Sequence, residues 1–125
     1  KFAIRPDIGK EAITIYETLE KFRGYSLVQL DLRTGRTHQI RVHMAWIKHP
    51  VAADEMYGGK IVYPWQIEDR APAPENPLMG RTALHAWKLE INHPATGDRM
   101  TFEAPLPKDM QSFLDALRTY RAPGS

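Results

Sequence analysis

Apolar and polar positions alternate from Ala12 to Leu19, with Ile13, Ile15 and Glu17 on one side and Thr14, Tyr16 and Thr18 on the other. A period of two with β-branched and aromatic residues predicts a strand. Phe22-Arg23-Gly24-Tyr25 supplies turn chemistry, and Ser26–Leu32 forms a second strand, so the short link predicts an antiparallel hairpin. Thr34-Gly35 breaks the pattern, and the period changes. Ile40, Met44 and Ile47 fall at i, i+4, i+7, which predicts a helix over Thr37–Lys48 with a narrow apolar stripe facing a sheet. His49-Pro50 ends it, because proline cannot continue a helix and disfavours helical geometry in its predecessor.

Val51–Ala53 reads as a short apolar strand and Asp54–Lys60 as a turn. Residues 64–80 show no period and carry Pro64, Pro72, Pro74, Pro77 and Gly80, so they read as a long irregular loop, functional or mobile. Alternation returns at Leu84–Ile91, followed by turn residues His93–Asp98 and a returning strand, Arg99–Ala104. Phe113, Leu114 and Leu117 mark a closing helix over Asp109–Tyr120. Residues 1–9, with Pro6 and Gly9, read as a connecting arm, residues 10–121 as the body of the domain, and residues 122–125 as a frayed tail. The fold class is α+β: a mainly antiparallel, mixed sheet with a central helix and a C-terminal helix packed on it.

Composition narrows the classes. A chain of 125 residues, 42% hydrophobic and 26% charged, reads as one soluble domain with apolar runs too short for a membrane span. The absence of cysteine excludes disulfides and thiolate metal sites and agrees with a reducing, cytoplasmic setting. The first residue is a lysine, which suggests that the chain begins partway through a longer protein. A net charge of +2 predicts no partner, but the interval between Asp31 and Asp54 has no acidic residue and holds Arg33, Arg36, Arg41 and Lys48 with three histidines. Such clustering suits a polyanion surface, and equally a solvated helix face.

The stretch RTGRTHQIRVH, residues 33–43, joins a strand end, a glycine turn and a helix start. Unpaired amides at a helix start favour anions, and Arg36 and Arg41 add permanently charged forks. Arg41 sits one turn into the helix beside the core, where arginines are rarely left unpaired, and no carboxylate is obvious nearby in sequence. A structural ion pair at Arg41 competes with a site role. His38 and His43, at i, i+5, do not share a helix face and have no supporting cysteine, so no metal site is expected. Asp54 reads as a turn former ahead of any catalytic role. Trp46 and Trp87 read as core, and Trp65, in the long loop, as the tryptophan placed to stack on a base.

The motifs TGRTHQIRVH, then D-x-x-Y-G, then L-H-A, within residues 16–45, 49–59 and 81–109, resemble the RluA-type family of RNA pseudouridine synthases over roughly residues 10–115. The resemblance implies a cofactor-free isomerisation of uridine to pseudouridine in structured RNA, ribosomal or transfer, with the base flipped into a pocket. It implies that an aspartate is the nucleophile and that Arg41 pairs with it. Arg36 and His38 would lie beside the pocket or touch phosphate, and Leu84 would sit near the pocket wall. With RNA as the partner, the basic cluster adds Arg33 and Lys48, and the long loop adds Trp65, as expected RNA contacts. Two departures stand out. The family's H-R-L-D-x-x-T-S-G motif, which carries the nucleophile, is not in this chain, so the N-terminal part of the catalytic domain is the expected missing partner. Alanine, Ala53, precedes the aspartate of D-x-x-Y-G where the family has glycine, which strains the backbone if that residue has positive φ. Arg41 is accordingly expected to stand open, unpaired or on a stray anion, beside an uncovered sheet edge. A non-catalytic RNA-binding module and an inactive structural fragment are the alternatives.

Overall fold

The computed structural model describes residues 2–4, 14–32, 37–92 and 94–123. The alternating segment forms β2, Thr14–Phe22, and the next forms β3, Tyr25–Leu32, joined by a tight turn in which Gly24 has φ +85°. Alanine or any larger residue would strain that turn. The register runs from Phe22 opposite Tyr25 to Thr14 opposite Leu32, with an irregularity between Thr18 and Glu20. Part of the predicted arm, Phe2–Ile4, is a strand, β1, paired antiparallel with β2 in the order β1-β2-β3. Among the described residues β3 is therefore an edge.

Helix α1, Thr37–Trp46, buries Ile40 and Met44 against Tyr16, Leu30, Ile47, Val51 and Leu84, so the predicted stripe faces the sheet. Burying side chains of this size stabilises by about 1.5–3 kcal/mol each. A hydrogen-bonded trio fixes the helix to β2. Gln39 donates to Thr14 Oγ1 at 3.1 Å, and that oxygen lies 2.7 Å from Nδ1 of the buried His43. Burial pushes the His43 imidazole below its usual pKa, which keeps it neutral at neutral pH. Its role is a hydrogen-bonding one, tying α1 to β2.

The helix stops before the proline is reached. His49 N–H donates to the Met44 carbonyl and Lys48 N–H to the Ala45 carbonyl, both at 2.9 Å, with Lys48 at φ +66°. This pair of bonds is the Schellman arrangement, in which glycine is the usual left-handed residue. Lys48 is exposed and holds that geometry at the cost of its Cβ. Lys48→Gly is therefore expected to raise unfolding free energy by about 1 kcal/mol, read as a higher urea midpoint with unchanged slope.

Several sequence expectations are corrected. Val51–Ala53 is a bend instead of a strand, because Ala53 adopts φ +61°. Residues 64–80 are not a featureless loop. Helix α2, Pro64–Ile67, opens them, and Val62 and Met79 close them by a two-way backbone bridge at 3.0 Å. Ile67 and Met79 are wholly buried, so apolar anchors without a period tie the proline-rich segment to the core. The strand predicted from Leu84 starts later, as β4, Lys88–Asn92, paired with β5, Arg99–Glu103, in a separate two-stranded sheet.

Helix α3, Lys108–Tyr120, closes the fold with Phe113, Leu114 and Leu117 in a core shared with Phe22, Ala53, Val62, Ile67 and Met79. Arg121 follows it and donates to the carbonyls of Gln66 and Ile67 at 2.6 and 3.1 Å, capping α2. The fold class is the predicted one, α+β with antiparallel sheets and helices packed on them.

Trp46 and Trp87 are not core: they are 59% and 38% exposed. Trp46 lies roughly 160° around the helix from Met44, on the face away from the stripe. Trp87 sits just before β4, with the Lys88 ammonium 5.6 Å from its ring centroid. Trp65 is half-buried and stacks on Tyr63, centroids 6.4 Å apart at 11°. No described helix is long and apolar enough to cross a membrane.

Candidate active site

Arg41 projects from α1 toward the bend that follows it. The bend is built from backbone bonds: Asp54 N–H donates to the Val51 carbonyl at 3.1 Å, and Tyr57 and Gly59 N–H groups donate to the Asp54 carbonyl at 3.1 and 2.8 Å. Glu55–Tyr57 forms one 3-10 turn between them, and Gly58 follows at φ +100°. The bend is anchored to the L-H-A region, because Ala83 N–H donates to the Ala52 carbonyl at 2.9 Å. Local chain geometry thus sets Asp54 under the helix, with its side chain only 1% exposed.

The two residues meet side-on. Arg41 Nε donates to Asp54 Oδ2 at 2.9 Å and Nη2 to Oδ1 at 2.8 Å. The guanidinium carbon lies 4.9 Å from the centroid of the Tyr57 ring, and Nη2 is 3.9 Å from Met56 Sδ. Hydrogen bonding to Asp54 holds the guanidinium pKa above its ordinary value, so the charge is permanent. The Arg41 side chain keeps 25% of its surface exposed.

This corrects one expectation. Arg41 is not unpaired: its carboxylate comes from Asp54, thirteen positions on, brought back by the left-handed kink at Ala53. The strain anticipated for an alanine with positive φ is present at Ala53, where the buried methyl packs in the core. Of the other candidates, Leu84 packs against Ile40 and Met44 on the same helix, and Lys48 is exposed at its far end. Trp65 belongs to the 64–80 segment and is not among the contacts of Arg41. Arg33 and Arg36 lie outside the described residues, as does the side chain of His38. The apolar groove lined by β2, β3, α3, the end of α1 and residues 48–52 has neither Arg41 nor Asp54 among its lining residues.

Sequence reasoning missed the grouping of Asp54, Tyr57 and Gly59 around Arg41. The signal was present in DEMYGGK, where paired glycines follow an acid and an aromatic. A Cβ on Gly59 would stand 2.5 Å from the Val51 carbonyl oxygen and 2.7 Å from Asp54 N, so this position is glycine because the bend closes on it.

The sequence that builds this site is similar to that of known proteins. Residues 4–46, which include Arg41, match the RNA pseudouridylate synthase family. Ribosomal large subunit pseudouridine synthase D of Xanthomonas campestris is 44% identical over 118 residues, 94% of this chain and 35% of that protein. The Haemophilus influenzae protein of the same name is 46% identical over 117 residues, 93% of this chain and 35% of its own length. Over nearly its whole length this chain is similar to RNA pseudouridine synthases. It spans about a third of the length of these relatives. An RNA pseudouridine synthase of Chlorobaculum parvum shows the same proportions, at 43% identity over 89% of this chain and 35% of that protein. The matched region in each pseudouridine synthase covers α1, the Asp54 bend and the L-H-A segment together, since nearly the whole chain aligns.

Proposed function

We propose that this chain supplies the arginine side of the active site of an enzyme that isomerises uridine to pseudouridine in ribosomal large-subunit RNA. The observation that carries the reading is Arg41: a charged guanidinium in the Q-I-R element, oriented side-on by Asp54, with a quarter of its side chain still exposed. The relatives' names point to large-subunit RNA, in preference to transfer RNA, as the substrate class. The nucleophilic aspartate comes from the N-terminal part of the same catalytic domain, outside this chain.

In this reading that carboxylate attacks C1′ of the flipped uridine, so a carboxylate–C1′ bond forms as the N1–C1′ bond breaks; the uracil turns, C5 displaces the carboxylate to form the C5–C1′ bond, and the proton lost from C5 is balanced by one gained at N1. No redox partner or cofactor is needed, because the reaction is an isomerisation. Arg41 keeps the nucleophile ionised and aimed, since an adjacent cation favours a carboxylate's charged form. Arg33, Arg36, His38 and Lys48 contribute phosphate contacts, Leu84 helps form the pocket wall, and Trp65 offers a stacking surface.

The test is release of tritium from C5-labelled uridine in ribosomal RNA, by this chain alone and together with its upstream segment. The expected result is no turnover by the chain alone and turnover once the upstream segment is joined or added. Turnover by the chain alone would place the nucleophile on one of its own aspartates. RNA binding without turnover by the full-length protein would instead make it a binding module.

A further inference from the structure

Arg41 presents two hydrogen-bonding edges, and only one is used by Asp54. A guanidinium has a side-on edge, Nε–H with one Nη–H, and an end-on edge formed by the two Nη groups. Asp54 takes the side-on edge through Nε at 2.9 Å and Nη2 at 2.8 Å. Nη1 makes no hydrogen bond among the described residues, and the second Nη2 hydrogen is near only the thioether of Met56. Met56 is strongly exposed and so can be displaced.

The surroundings fix the guanidinium against rotation. Tyr57 lies under its face at 4.9 Å, Asp54 is buried and anchored by its backbone bonds to Val51, Tyr57 and Gly59, and α1 holds the other end. We infer that Asp54, with Tyr57, is a positioning residue for the reaction: it grips Arg41 side-on so that the end-on edge is presented to a second carboxylate, the nucleophile. This inference rests on the proposed function and names a residue that acts through Arg41, not on the substrate. A guanidinium already held in place loses little freedom when the second carboxylate pairs with it.

The chemistry of the grip makes the test specific. Asparagine at position 54 offers one acceptor and turns a donor toward an N–H, so it cannot receive both bonds. In the full-length enzyme, Asp54→Asn is expected to lower kcat about 10- to 100-fold, because misplacement of a catalytic group by about 1 Å costs that much. The KM for RNA should stay within about threefold, since uniform binding is untouched. The acid limb of the kcat–pH profile should move to higher pH, because a loosened Arg41 favours the ionised nucleophile less. Asp54→Glu should recover part of the loss.

A double-mutant cycle separates positioning from other roles. Lysine at position 41 has no side-on fork, so Asp54→Asn should change kcat by less than about twofold in an Arg41→Lys background. Wild-type kcat in a folded Asp54→Asn enzyme overturns the inference, and so does an equal drop in both backgrounds. If Asp54→Asn does not fold, Tyr57→Leu is read by the same cycle. An enzyme that is active yet indifferent to Arg41→Lys would instead undo the proposed role of Arg41, which is a different failure.

Discussion

Replacing Arg41 by alanine in the full-length enzyme is expected to lower kcat by at least about 100-fold while leaving RNA affinity nearly unchanged, since loss of one preorganised charged donor costs about that much. The split follows from location. Affinity for RNA is spread over many cations, and Arg41 is one of them, with one edge already neutralised by Asp54. Orientation of the nucleophile, by contrast, is assigned to Arg41 alone in the proposed site. Arg41→Lys should recover little, because an ammonium is a point charge that cannot hold Asp54 and the nucleophile in one plane. Single-turnover kinetics at saturating enzyme, with a separate binding measurement, resolve the two quantities. A variant with normal kcat and weakened binding would reassign Arg41 to the phosphate backbone.

Asp54 is the harder consequence of the same change. Its carboxylate is buried and loses both Arg41 donors in the alanine variant. Losing two charge-assisted hydrogen bonds at a buried carboxylate is costly, so some loss of stability should accompany the loss of turnover. Activity must therefore be read at a temperature well below the variant's melting transition.

What could be read from sequence depended on period and on distance along the chain. The β2–β3 hairpin, α1 and α3 are regular elements whose apolar positions repeat at two or at three to four residues, and each appears close to where the pattern places it. The stripe of Ile40, Met44 and Ile47 meets the sheet as expected because burial along a helix is fixed by angle. The 64–80 segment was opaque for the opposite reason. Ile67 and Met79 anchor it, but two apolar residues twelve apart have no period to reveal them. The tryptophans misled because size and hydrophobicity suggest burial, whereas Trp46 is set by helix angle onto the outer face. Arg41 was singled out correctly as needing an anion. Its partner was hidden because the pairing depends on one backbone kink, Ala53 at φ +61°, and alanine does not advertise such a kink as glycine would.

Gly59→Ala is expected to damage both stability and turnover more than any other single-methyl addition among the described glycines. The added carbon would lie 2.5 Å from the Val51 carbonyl oxygen, 2.7 Å from Asp54 N and 3.1 Å from Asp54 O. These are backbone atoms of the bend itself, so no side chain can swing aside to relieve the contact. They are also the atoms that make the bend: Val51 O accepts from Asp54 N–H, and Asp54 O accepts from Gly59 N–H at 2.8 Å. Pushing them apart breaks the bonds that place Asp54 beneath α1. Overpacking of this kind costs about 1–3 kcal/mol, and displacing the Arg41 grip by about 1 Å adds a loss of about 100-fold in kcat. Gly80→Ala is the matched control. Its added carbon would meet only Pro77 side-chain atoms at 3.5 and 3.7 Å, which is ordinary contact, and its backbone needs no positive φ. That variant should melt and turn over like the parent. Thermal unfolding and tritium release on the two variants decide the matter. Equal behaviour of Gly59→Ala and Gly80→Ala would mean that the bend tolerates displacement, and that the position of Asp54 does not control Arg41.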